Sequence, residues 1–444
     1  KELAYLSKLQ RKIVTAYYFE NRKQADIARE LRLPVGTVKW QLFEAKKELK
    51  RGMDTMRTAG ELQYNPIRFH SYGVNGCIGT KSPDEFFRSA LSQYICYCVR
   101  DTAKTVGEIA DELGVSPVYV ENEVEFLEEY GFLLAQKKAY IANFLISEPT
   151  AELLTLQDRM YRRAAGLFAD DLYEELTHSG ILEDPGILCR QCDGPVTLSE
   201  SPRADWNFLL WTLIPYIAAC SGEKLMDRNI SFDEVATIRP DGGQNIFHAT
   251  VVPDRLVLPE DYVYMKNWSG PMWNGNGERI LWQIDSEWSD RDASRILQYS
   301  EDAKRVLSLY AREQEGRLTR EEYTWLAERG YIKTNGDYEG QFQSAWQIVI
   351  LTDKKIQTRL LAIGERIKES YKETFDALKA PYVKAALASV PAHLRKVRAF
   401  ELQSVFYSDG WFLVHCIAAL LRSGKMKEPT PGQKKALTTL IANA

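Results

Sequence analysis

Residues 24–50 read QADIARELRLPVGTVKWQLFEAKKELK, and their spacing decides the fold of the N-terminal part of the chain. Ile27, Ala28 and Leu31 recur at helical steps in a short first segment. Proline discourages helix in the residue before it, so Arg32-Leu33-Pro34 ends that segment. Pro34 then opens a longer helix with Val35, Val38, Leu42, Ala45 and Leu49 as its apolar stripe, and Gly52 stops it. Upstream, Leu3, Leu6, Leu9, Ile13, Val14 and Tyr17 predict one more amphipathic helix. Two helices joined by a short turn, the second with a regular buried stripe, predict a helix-turn-helix. The stripe leaves Gly36, Thr37, Lys39, Trp40, Gln41 and Glu44 outside it, with Lys47 one turn further on. Thr37, Lys39 and Gln41 supply donors that reach phosphates and base edges, which points to DNA. The alternative is a three-helix bundle that binds protein, its lysines merely solvated.

Charge separates this head from the rest. The 444 residues carry 57 Lys/Arg against 61 Asp/Glu, a net of −4. Residues 1–57 hold fourteen Lys/Arg and seven Asp/Glu, so the head is +7 and the remainder −11. A basic head on an acidic body confines any nucleic-acid contact to the head. The length suggests about three domains. With 45% hydrophobic and 27% charged residues, disorder over most of the chain is excluded. Phe208–Cys220 is the longest nearly apolar stretch and contains Pro215. It falls short of the roughly 18–20 residues that span a bilayer, so it predicts a buried helix and no membrane partner. The seven cysteines are mostly scattered, and no apolar leader opens the sequence, so a reducing cytoplasm is expected.

Downstream, residues 58–83 read as a glycine-bearing linker. Residues 84–147 outline a winged helix: two amphipathic helices joined at Gly114, the second opened by Ser116-Pro117, then two short strands about Gln136-Lys137-Lys138. Thr105–Leu134 holds eight acidic residues and no Lys or Arg, which argues against a DNA groove. Glu121, Glu125, Glu128 and Glu129 are instead expected to form a protein-binding or self-masking surface, or simply a solvated face. Residues 148–289 read as a mixed α+β region, with a hairpin at 186–198 and strands from about 230 to 288. Residues 290–444 read as helical, with a second winged-helix-like unit where WLAERGYIK (325–333) echoes FLEEYGFLL (126–134). Cys189-Arg-Gln-Cys192 is only half a zinc site, and Trp268, Trp273, Trp282 and Trp288 favour core packing over a pocket. No metal, cofactor or catalytic residue is expected.

Residues 6–50 resemble region four, the promoter-reading domain of sigma-70 family RNA polymerase sigma factors. The resemblance rests on Tyr18-Phe19, on Ile27-Ala28, on Val35-Gly36-Thr37-Val38-Lys39, and on Ala45-Lys46-Lys47-Glu48-Leu49. It covers about 57 of 444 residues and is closest to the extracytoplasmic-function group, some of which carry long C-terminal extensions. It implies binding to the upstream promoter element and to the flap of the polymerase β subunit. Where the family usually has a small residue and two arginines, this chain has Trp40, Gln41 and Glu44. Tryptophan there can wedge against a base methyl, and Glu44 repels phosphate unless it accepts from a cytosine amine. The family's strand-opening region two normally precedes region four, so the expectation is that this sequence is a piece cut just upstream of region four. The expectation is a mainly α protein with α+β parts: a helix-turn-helix head, a winged-helix domain and a mixed α+β C-terminal body. It would act in transcription initiation, with a regulatory protein or signal ligand on the body. The rivals are a one-component regulator with a sigma-like reader, and a scaffold that binds no DNA.

Overall fold

Ser7 sets where the first helix begins. Its hydroxyl accepts the Gln10 N–H at 3.2 Å, and the Gln10 side chain accepts the Ser7 N–H at 3.0 Å, a reciprocal cap. The apolar stripe expected to run unbroken from Leu3 to Tyr17 is therefore divided. A 3-10 turn spans Glu2–Tyr5, helix α1 spans Lys8–Val14, and a π-helical turn covers Thr15–Phe19. Helices α2 (Gln24–Glu30) and α3 (Val35–Asp54) complete the head. Leu6, Ile13, Val14, Ala16, Ile27, Ala28, Val38, Leu42 and Ala45 form its core. Val35 does not join them and is 40% exposed.

The structure, a computed structural model, describes residues 2–54, 69–193, 205–252, 256–264, 271–275, 278–284, 286–290, 296–338, 341–407 and 409–442. The chain is mainly helical with α+β parts. It divides into two compact units, the first made of Lys1–Glu148, Phe232–Pro253 and Val390–Arg398. After the head, this unit contains β1 (Ser71–Cys77), α4 (Ala90–Cys98), β2 (Lys104–Thr105), α5 (Val106–Leu113), α6 (Pro117–Glu129), β3 (Leu133–Gln136), β4 (Ala139–Ala142) and β5 (Leu145–Ser147). Helices α4–α6 with the three-stranded sheet β2-β4-β3 make a winged helix. Gly114 closes α5 at φ +65°, a left-handed conformation that glycine adopts without a Cβ clash.

Residues 58–68 of the expected linker lie outside the described residues, but Ser71–Cys77 in its second half is a strand. Strand β1 pairs antiparallel with Gln244–Thr250, which also pairs in parallel with β5. Gly73 faces His248 across this pairing, and a Cβ at position 73 would collide with the imidazole ring. The glycine that signals a loop in the sequence here admits a cross-strand ring. Phe87, Phe132, Phe144 and Phe247 pack at centroid distances of 5.0–5.7 Å beneath this sheet and the winged helix. Arg239 lies 4.0 Å over the Phe132 ring and donates to the backbone oxygen of Tyr130 at the end of α6. Burial pulls its guanidinium down to about 10.

The second unit is built on the helices Ala151–His178, Trp206–Cys220, Lys354–Ser370 and Gly410–Arg422. Phe208–Ala219 is buried throughout, as its apolar sequence predicts. Five strands lie beside these helices in the order Ile187–Cys189, Val349–Leu351, Thr438–Ile441, Ile280–Ile284, Pro271–Gly275. Ile187–Cys189 was expected to fold back as a hairpin within 186–198. It pairs instead with Val349–Leu351, and residues 194–204 lie outside the described residues. The helices Ile296–Glu313 and Arg320–Glu328 are followed by the antiparallel pair Ile332–Tyr338 and Gln341–Trp346, a helix-helix-hairpin outline. Thr319 and Glu322 cap the second of these helices reciprocally. No described helix is long and apolar enough to cross a membrane.

Candidate nucleic-acid interface

The turn that aims α3 is set by three backbone features. The Leu33 N–H reaches back to the Ala28 oxygen at 2.9 Å, Arg32 takes φ +54°, and Pro34 begins the next helix. The Thr37 N–H donates to the Pro34 oxygen at 2.9 Å, closing the first turn of α3. At 3.6 residues per turn, burying Val38, Leu42 and Ala45 places Gly36, Trp40, Phe43 and Lys47 in a line on the opposite side.

The residues expected to meet DNA fall in two groups. Gly36, Lys39, Trp40 and Lys47 are exposed, and a Cβ at position 36 would touch nothing within 4 Å. Thr37, Gln41 and Glu44 are half-buried on the flank of α3. All seven therefore border one helix surface, with the lysines and Trp40 foremost. Sequence reasoning missed Phe43, which is 65% exposed beside Trp40 at 52%. Its place one turn from Trp40, opposite the stripe, was the available signal. Lys46 and Lys50 extend the exposed basic surface along the helix.

A second basic surface lies on α1, and the acidic helix α6 meets it. Lys8 Nζ donates to both oxygens of Glu125 at 2.7 and 3.0 Å, and Arg11 pairs with Glu121 in a half-buried contact. The Glu125 carboxylate raises the Lys8 ammonium above its ordinary value. Glu128 and Glu129, one turn on, are exposed. Glu123 points inward instead, taking a hydrogen bond from Ser92 at 2.5 Å. The acidic surface thus engages α1, while Lys39, Lys46, Lys47 and Lys50 of α3 stay exposed.

None of the seven cysteines forms a disulfide, and among the described residues no third ligand joins Cys189 and Cys192. The set of three that does gather is Asp158, Asp261 and His415 in the second unit. Arg422 lies 2.6 Å from Asp261, and Arg162 lies 3.0 Å from Asp158 and 3.4 Å from Asp261. Cations already face both carboxylates, so the trio is a buried ion network. Trp282 and Trp288 are core residues, Trp273 sits opposite Trp282 in the strand pairing, and Trp268 lies outside the described residues.

Comparison with curated proteins and with solved structures yields no match. Residues 1–49 match the family model described as sigma-70, region 4. The helix-turn-helix head of this chain is thus a sigma-70 region 4 domain, of a family of DNA-binding transcription factors that act in initiation.

Proposed function

We propose that the chain is a transcription initiation factor whose head reads the upstream promoter element by placing α3 in the major groove. The observation that carries this reading is the exposed basic surface of α3 on a sigma-70 region 4 domain. Lys39, Lys46, Lys47 and Lys50 face phosphates, while Thr37 and Gln41 offer hydrogen bonds to base edges at the flank. Glu44 limits approach on that flank, or accepts from a cytosine amine. RNA polymerase core, through its β-subunit flap, is the protein partner proposed for the head. The site of action is the cytoplasm, and the acidic body regulates the head.

For the body, the ion pairs Lys8–Glu125 and Arg11–Glu121 favour a positioning role for the winged helix. Helix α6 holds the head by α1 and leaves α3 exposed, so it presents the reader rather than covering it. Selection of DNA sequences by the full chain, followed by titration, tests the main reading. Lys39→Ala with Gln41→Ala should weaken binding to the selected site by about 1–3 kcal/mol for each base that is no longer read. Unchanged affinity in that double variant would show that another surface reads the DNA. Capture of purified polymerase core by the full chain tests the second partner.

A further inference from the structure

Before Lys47, the outward line of α3 lacks the groups that usually read bases. Gly36, Trp40 and Phe43 offer no hydrogen-bond acceptor, and the Trp40 indole N–H is the single polar group they carry. Both aromatic rings are more than half exposed, although burial of such rings is among the largest apolar gains a side chain can make. Lysines at 39, 46, 47 and 50 border them, a charge pattern that suits a polyanion and opposes an apolar or basic protein partner. Gly36 precedes Trp40 on the same line with open space above it, which lets a surface approach the first turn of the helix closely.

Only one base presents an apolar group in the major groove, namely thymine through its C5 methyl. Resting on the reading of α3 as the groove helix, we infer that Trp40 and Phe43 are specificity residues that read thymine methyl groups. Three residues of helix rise about 4.5 Å, against about 3.4 Å per base step along one strand. The two rings therefore address neighbouring or next-but-one base pairs, and the site read by this line is a short thymine-containing step. Lys39 and the flank residues supply the hydrogen bonds and phosphate contacts around it. Discrimination at these pairs is by fit against a methyl group, which cytosine, guanine and adenine lack.

The test uses the full chain and DNA in which thymine is replaced, one position at a time, by deoxyuridine. That change removes the methyl and keeps every hydrogen-bonding group. After selection of a preferred sequence, affinity should fall about fourfold at each of two nearby thymines and not elsewhere. Trp40→Ala should abolish the loss at one of them and Phe43→Ala at the other, with the helical circular dichroism unchanged because both rings are exposed. Equal affinity for thymine and deoxyuridine throughout the selected site overturns the inference and leaves the wider reading standing. Sensitivity to deoxyuridine that survives both substitutions also overturns it, since other residues then touch the methyls. If no sequence is enriched or bound, the promoter-reading function itself fails. Loss of polymerase capture in the two variants, with DNA discrimination intact, would assign the aromatic pair to a protein interface instead.

Discussion

Ile27 and Ala28 of α2 and Ile109 and Ala110 of α5 hold equivalent places in two helix-turn-helix pairs, 82 positions apart. At the same offset, Arg32 at φ +54° corresponds to Gly114 at φ +65°. The Leu33 N–H bonds Ala28 at 2.9 Å, and the Val115 N–H bonds Ala110 at 3.0 Å. Val38, Leu42 and Ala45 of α3 correspond to Val120, Val124 and Leu127 of α6, and all six are buried. The outward faces then diverge. Lys39, Phe43, Lys46 and Lys47 stand where α6 has Glu121, Glu125, Glu128 and Glu129. One face suits phosphates, and the other holds Lys8 and Arg11 of the head. The inward residues set how the second helix packs against the first. The outward residues set what that helix can touch, and they change without disturbing the packing because they lie on the far side of the helix.

The largest effect expected from this comparison is on packing. Val38→Asp should cost more than about 2 kcal/mol and unfold the head, because a carboxylate in that stripe has no partner. Val124→Asp should do the same to the winged helix and also release α1 from α6. Hydrogen exchange of the full chain reads both. Protection retained in α1–α3 of the Val38→Asp variant would break the equivalence of the two stripes.

Charge comes next. Replacing Lys39, Lys46 and Lys47 by Gln should lower the slope of log affinity against log salt by about 0.9 for each phosphate left without its lysine. Replacing Glu121 and Glu125 by Gln should speed exchange in α1 and leave that slope unchanged, since α3 is exposed while α6 is docked. A marked rise in DNA affinity on neutralising those glutamates would show that α6 competes with DNA.

The smallest effect concerns the turns. Arg32→Gly should stabilise the head by about 1 kcal/mol, since an L-residue in the left-handed region is strained there. Gly114→Ala should destabilise the winged helix by a similar amount. Thermal melts of the two variants should move in opposite directions.

The head is largely legible in its sequence. A helical stripe is a local property: its residues face one way whatever covers them, so Val38, Leu42 and Ala45 can be placed from spacing alone. Val35 cannot, because it stands on the stripe by spacing yet is 40% exposed, and exposure depends on what packs over a position. Phe43 escapes notice for a different reason: its apolar type suggests burial, although the spacing of the stripe already puts it on the opposite side, where it is 65% exposed. In the winged helix, Gly114 and Pro117 announce the boundaries through turn and first-turn chemistry, whereas the Ser116 hydroxyl expected to cap the second helix makes no cap hydrogen bond.

By itself the sequence determined the two helix-turn-helix stripes, the basic head against the acidic body, and the buried apolar helix of the second unit. Each depends on periodicity or composition within one segment. Tertiary structure decided that Ser71–Cys77 joins Gln244–Thr250, and that Ile187–Cys189 lies beside Val349–Leu351. It also decided that Glu121 and Glu125 meet α1 and leave α3 exposed. A strand offers the same row of donors and acceptors to every possible neighbour, and a carboxylate attracts any cation. Such partners are chosen only when packing brings one of them within reach.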